Sequence, residues 1–269
     1  MNASRSSFGP LLREWRERRR MTQSDLALAA ESSTRHLSCL ETGKAQPSRE
    51  MIFRLTELLE VPLRERNTLL LAAGFAPAFR ESAVEGLAAA KAAMERVLQA
   101  HKPYPAFAVD RHWNVVLSNG ALPQLYEGCS ADLLKPPVNA MRLMLHPHGM
   151  GPRILNYRAW RAHSLGLLRH QVNANADPAL NALLAEISVY PDPSSADSRS
   201  RFEGDERLAT PLRVSTRLGT ASFLNTLTVF GTANDITLAE LALEMLFPVD
   251  EQTLEIARRM VEELARRRL

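Results

Sequence analysis

"TQSDLALAAESSTRHLSCLETGKAQPS", residues 22–48, decides how the first part of the chain is read. Thr22 is a good helix N-cap, and Asp25 three residues on completes a capping box with Asp in place of Glu. Leu26, Ala29 and Ala30 follow at helical spacing. After the turn Glu31-Ser32, Ser33 caps a second short helix, TRHLSCLE, whose Leu37 and Leu40 face inward. Gly43 stands where a left-handed C-cap stops that helix. Two short helices joined by a tight turn have helix-turn-helix geometry. The exposed positions of the second, Thr34, Arg35, Ser38 and Cys39, are short or hydrogen-bonding, and Ser33, Thr42 and Lys44 flank them. A helix that enters a major groove needs short side chains near its N-terminus and phosphate donors at its edges. An ordinary surface helix would carry Glu/Lys pairs instead.

Working outward, a helix over residues 8–20 precedes this pair. A helix opened by Pro47-Ser48 and another over "VPLRERNTLLLAAGF" follow it, so the first 75 or so residues are five short helices. Residues 74–82 read as a linker. The expected division is a helical domain over 1–80 and a second domain over 81–269. Charge divides in the same way: residues 1–80 hold 13 Lys+Arg against 9 Asp+Glu, a net of +4, and the remainder 20 against 21, a net of −1. Only the first domain is suited to a polyanion.

The second domain mixes strands and helices. "AFAV" (106–109) pairs with "WNVVLS" (113–118) through an Asp110-Arg111 turn. Helical segments are expected at 119–126, 139–145, 156–173 and 178–188, and "YPDPSSADS" (190–198) reads as a loop or a helix start. Alternation predicts strands at Leu212–Leu218 and Phe223–Val229, joined by a Gly219-Thr220 turn. "DITLAELALEMLF" (235–247) and the last 20 residues read as helices. Four or five strands with helices inserted give an α+β domain. On the last helix, Leu254, Ala257, Val261 and Leu264 form one face, either a dimer element or a surface that docks on its own sheet.

Two cysteines, Cys39 and Cys129, are too few for a disulfide framework or a paired-cysteine zinc site. The most apolar window, at 69–79, is too short to span a bilayer. Neither a nucleotide loop nor a hydrolase or metalloprotease motif occurs, and no cofactor is expected. His146 and His148 sit in a Pro/Gly turn, where helix capping or backbone bonding is the expected role rather than a metal site. A pocket for an amphipathic ligand needs an apolar wall and a few polar anchors. Trp113, Val115, Leu117, Phe223 and Leu227 supply such a wall, with Asn225 among them. Asn139, Arg142, His146 and Asn156 place donors at one end, Arg142 as a two-pronged carboxylate anchor or as the partner of an acidic residue. Trp160 and Tyr157 stand near the chain.

Residues 22–48 resemble the lambda-repressor-like, Xre-type family, through a T-Q-x-x-L-A start, an L-S-x-L-E-x-G-K stretch and the following P-S. The resemblance implies that Thr34, Arg35 and Cys39 face base edges, and that Gln23 caps the phosphate contact and can also touch a base. It also implies that Ser33, Thr42, Lys44 and Arg49 hold the DNA backbone, and that Arg16 and Glu41 form an internal ion pair. Arg35 is the candidate reader of a guanine through O6 and N7, with a phosphate clamp as its alternative. Four longer stretches, "PSREMIFRLTELLEVPLRERNTLLLAAGFAP", "PYPAFAVDRHWNVVLSN", "NAMRLMLHPHGMGPRILNYRAW" and "FGTANDITLAELALEMLFPVDEQT", make the whole chain resemble MmyB-like transcription regulators. That implies a PAS-like second domain with an effector pocket for a fatty-acid-like ligand, and no catalysis. Tyr157 stands where the family usually has Trp. A cytoplasmic regulator is expected, binding a double-stranded DNA operator as a homodimer, with half-sites about 34 Å apart.

Overall fold

The computed structural model describes residues 7–83, 86–175, 177–193, 209–231 and 233–267. The chain forms two compact units, Met1–Ser82 with Asn173–Ala176 and Thr232–Ala239, and the remainder.

The first unit opens with five helices: α1 (Phe8–Arg18), α2 (Gln23–Ala29), α3 (Thr34–Glu41), α4 (Arg49–Leu58) and α5 (Leu63–Ala72). Their ends follow from capping chemistry. The Thr22 hydroxyl accepts from the Asp25 amide at 3.1 Å, and the Thr22 amide donates to Asp25 Oδ2 at 3.0 Å. Ser33 and Ser48 cap α3 and α4 by accepting from the amides of His36 and Met51, each at 3.1 Å. Gly43, with φ +72°, ends the recognition segment in the left-handed region that glycine enters without penalty. The core gathers Leu12, Trp15, Leu26, Leu37, Leu40, Ile52, Leu55 and Leu69, each nearly inaccessible. Gly9 lets α1 cross the end of α3 at backbone distance: a Cβ there would lie 2.3 Å from the Glu41 carbonyl oxygen.

The second unit is α+β. Helix α6 (Ala88–Ala100) leads into β1 (Ala106–Val109) and β2 (Val115–Ser118). Helices α7 (Ala140–Leu145), α8 (Tyr157–Asn175) and α9 (Pro178–Ser188) follow. Then come β3 (Leu212–Thr216), β4 (Gly219–Val229), β5 (Ala242–Pro248) and α11 (Glu251–Arg267); the short α10 (Ile236–Ala239), between β4 and β5 in the chain, belongs to the first unit. The strands form one antiparallel sheet in the order β2-β1-β5-β4-β3.

The middle of that sheet corrects the sequence reading. Only residues 236–239 of "DITLAELALEMLF" are helical; Ala242–Pro248 is the central strand, hydrogen-bonded to β1 on one side and β4 on the other. A short run with apolar residues on both faces carries no period that separates a buried helix from a buried strand. Here the two neighbouring strands decide it. The β3–β4 turn also shifts: Thr216 pairs with Gly219, so Arg217-Leu218 form the turn and Gly219 opens β4. Helix α11 packs on its own sheet. Its buried face is Thr253, Ile256, Ala257 and Met260, and Thr253 Oγ1 accepts from the Ser222 amide at 2.8 Å. Leu254 and Val261 are only partly covered; the side chain of Leu264 lies outside the described residues, as do residues 194–198.

Candidate functional site

In the helical unit, α3 is held from behind and bare in front. Arg16 Nε donates to Glu41 Oε1 at 2.6 Å and a terminal guanidinium nitrogen donates to Oε2 at 3.0 Å, both side chains being almost fully buried. The remaining terminal nitrogen of Arg16 donates to the Met21 carbonyl at 2.8 Å, at the start of the helix-turn-helix. This fork locks α1, the α1–α2 junction and the end of α3 into one rigid body. Gln23 joins it, its amide donating to Glu41 Oε2 at 2.8 Å. A glutamine so fixed retains its carbonyl oxygen as a positioned acceptor.

On the outer side, Ser33, Thr34, Arg35, Thr42, Lys44 and Arg49 are exposed, and Cys39 is half-buried. Thr42 donates to the Ser38 carbonyl at 2.7 Å, and the Arg49 guanidinium lies 5.5 Å from the Phe53 ring centroid. The outer face of α3 therefore has the composition of a groove-reading helix, short polar side chains with cations at the rim.

In the second unit, an apolar cleft opens between the sheet and the helices. It contains about 630 Å³ free of protein atoms, including open solvent at its mouth. The sheet contributes Phe107, Asn225, Glu244 and Leu246; α7 and the turn after it contribute Met141, Met144 and Met150; α8 contributes Trp160, His163 and Leu167. Three methionines on one side make a wall that adapts its shape at low cost. Trp113 lines the cleft from an unusual backbone position, φ +67°. Asp110 imposes it, its Oδ1 accepting from the amides of His112 and Asn114 at 2.8 and 2.9 Å. The indole N–H of Trp113 donates to Gln171 at 2.7 Å. Strained backbone held this firmly is characteristic of binding sites.

The cleft brings together Trp113, Trp160 and Asn225 from the sequence-derived set. The others lie elsewhere, each for a visible reason. Arg142 makes a two-pronged pair with Glu186, Nε to Oε1 at 2.8 Å and a terminal nitrogen to Oε2 at 2.7 Å, so its fork is engaged within the protein. The guanidinium also holds the Glu186 carboxyl below the usual carboxylate range. Asn139 caps α7, accepting from the Arg142 amide at 3.1 Å and donating to the His112 carbonyl at 2.8 Å. Asn156 ties the start of α8 to β3, donating to the Pro211 carbonyl at 2.7 Å and accepting from the Arg213 amide at 3.2 Å. The buried Tyr157 hydroxyl donates to the Leu145 carbonyl at 2.9 Å. Phe223 is core, and Leu227 is 42% exposed toward the far end of β4.

His146 Nδ1 accepts from the His148 amide at 3.0 Å, which commits the lone pair a metal would need. Burial first, and the neighbouring His148 second, push the His146 imidazole below its ordinary value. Among the described residues no group of three or more His, Cys, Asp or Glu is arranged to hold a metal.

Glu244, which the sequence reading placed on a helix, stands on the central strand with only 2% of its surface exposed and lines the cleft. Desolvation in this apolar surround raises its carboxyl to about 7, against a smaller opposing effect of the Asn225 side chain.

Two family models match the chain. Residues 7–69 match a helix-turn-helix domain, and residues 90–260 match the MmyB-like transcription regulator ligand binding domain. The chain belongs to the MmyB-like transcription regulators. The five-helix unit is thus a DNA-binding domain and the α+β unit the family's ligand-binding domain. No curated protein matches this regulator. A solved structure described as an RNA-binding light-oxygen-voltage receptor matches at 15% identity and a TM-score of 0.25. The alignment covers 93% of this chain and 64% of the receptor, so the regulator spans less than two thirds of that protein. No helix among the described residues is long and apolar enough to cross a membrane.

Proposed function

We propose that this protein is a cytoplasmic, non-enzymatic regulator that binds a double-stranded DNA operator as a homodimer and responds to a small amphipathic molecule. The domains would be 1–80 for DNA and 81–269, PAS-like, for the effector and dimerisation. One observation carries the reading: a helix braced by the buried Arg16–Glu41 pair, with a bare polar face, coexists in one chain with an apolar cleft. In this reading Thr34, Arg35 and Cys39 meet base edges, Gln23 is positioned by Glu41, and Ser33, Thr42, Lys44 and Arg49 hold phosphates. Trp113, Trp160 and Asn225 contact the effector. Effector binding shifts the DNA-competent population by its differential affinity for the two states.

The test is selection of operator sequences from random duplex DNA by the full chain, followed by native mass spectrometry. A two-fold-symmetric site and a bound mass of a few hundred daltons, lost on denaturation, are expected. Failure to enrich any sequence overturns the DNA assignment. If instead the dimer binds DNA but takes up no amphiphile, the second unit serves dimerisation alone.

A further inference from the structure

The polar atoms of the cleft are an odd set for a pocket that takes a fatty acid. Among the described residues no lysine or arginine lines it. Its buried charge-bearing group is Glu244, with an oxygen, Oε1, that has no hydrogen-bond partner. Asn225 stands close enough to the Glu244 carboxyl to lower its proton affinity slightly, and its own Oδ1 is likewise without a partner. The register explains why the two meet. Asn225 pairs with Leu246 and Leu227 with Glu244 on adjacent antiparallel strands, so Asn225 and Glu244 are diagonal neighbours on one face of the sheet. Trp160 adds an indole N–H, also buried and unpartnered, to the same cleft.

Unsatisfied buried polar atoms are costly, and those that native proteins keep are met by water, an ion or a ligand; in a cleft, a ligand's polar head can serve. An ionised carboxylate brought here would meet a second carboxyl and no compensating lysine or arginine, and would lose its water. Tyr126, also on the wall, is held neutral by burial, and His163 is exposed at its position on α8. A hydroxyl or amide suits the site better. It donates to Asn225 Oδ1 or Glu244 and accepts from a protonated Glu244, without introducing charge. Fatty-acid recognition through Arg142 has no support in this geometry, because that guanidinium is engaged by Glu186 and lies outside the cleft wall.

Resting on the sensor reading above, we propose that the cleft takes a molecule with an apolar chain and an uncharged, hydrogen-bonding head, such as a long-chain alcohol or amide, and that Glu244 with Asn225 reads that head. The methionine wall adapts to the chain.

The experiment compares decanol with decanoate, matched in length, on the full chain at pH about 6.5, where decanoate is ionised. Binding is read by native mass spectrometry and by the change in Trp113 and Trp160 fluorescence. Decanol should bind tighter by about tenfold or more, the scale of one unpaired buried polar group. Glu244→Leu should weaken decanol about tenfold and narrow the preference. Glu244→Gln, which keeps shape and hydrogen bonding without charge, should hold decanol within about threefold. Decanoate binding as tightly as decanol, or a preference unchanged in Glu244→Leu, overturns the proposal and leaves the sensor reading standing. If neither compound binds the wild-type chain, the sensor reading falls with it.

Discussion

Replacing Glu244 by Gln should stabilise the ligand-binding unit at high pH and leave it nearly unchanged at low pH. The carboxyl titrates at about 7 in the folded chain, against an ordinary value of 4.5. Between those values the folded protein keeps a proton that the unfolded chain has lost. Stability from this group is therefore full below about 4.5 and falls as pH rises toward 7. Above 7 the buried carboxylate carries its full penalty. Each tenfold difference in proton affinity is worth about 1.4 kcal/mol, so the whole effect is about 3 kcal/mol. Gln has no such titration. The stability difference between variant and wild type should thus grow by about 2.5 kcal/mol from pH 5 to pH 8.5. Urea unfolding at several pH values, followed by Trp113 and Trp160 fluorescence, measures it, and at common denaturant sensitivities the midpoints separate by about 1 M. Only the difference between the two proteins is read, so every other titrating group cancels. Parallel pH profiles, with a gap constant to within about 0.5 kcal/mol, would refute the assignment of Glu244 as a carboxyl kept neutral by its surroundings.

Three further outcomes follow from the DNA-binding unit. Glu41→Ala takes the two-pronged partner from the buried Arg16, leaving it the Met21 carbonyl and a 3.8 Å contact with Glu17, and should cost about 3 kcal/mol in thermal or chemical unfolding of that unit; Gln23, released from Glu41, should lose its fixed position and with it operator affinity. Gly9→Ala forces a Cβ against the Glu41 and Leu40 carbonyls, at 2.3 and 2.7 Å, and should destabilise the same unit by about 1–3 kcal/mol, measured by its melting temperature. Arg35→Ala should lower operator affinity by about 1–3 kcal/mol and relax preference at one base pair, as read by binding to a panel of single-base operator variants; a uniform loss across the panel, with a shallower salt dependence, would make Arg35 a phosphate clamp instead.

How much was legible in the sequence depended on whether the information was local. The helix-turn-helix was, because Thr22, Asp25, Ser33 and Gly43 act within three or four residues, and capping chemistry is written at that range. Arg16 and Glu41 were paired only through family resemblance; 25 residues separate them and no local rule connects them. Arg142 shows the opposite failure. Its chemistry suited a carboxylate, but its partner, Glu186, is 44 residues away on α9 and already supplies one. Trp113 and Asn225 were reachable from strand alternation, and both line the cleft. Glu244 was not, and the cause is a single misassigned element. Once Ala242–Pro248 is a strand, period-two geometry puts Glu244 and Leu246 on one face, and antiparallel pairing with β4 adds Asn225 and Leu227. A glutamate on a helix is ordinarily a solvated side chain. The same residue at the middle of a central strand, under helices and methionines, has no water to turn to. The polar centre of the cleft was thus hidden by the ambiguity of a seven-residue apolar run, which only pairing with β1 and β4 resolves.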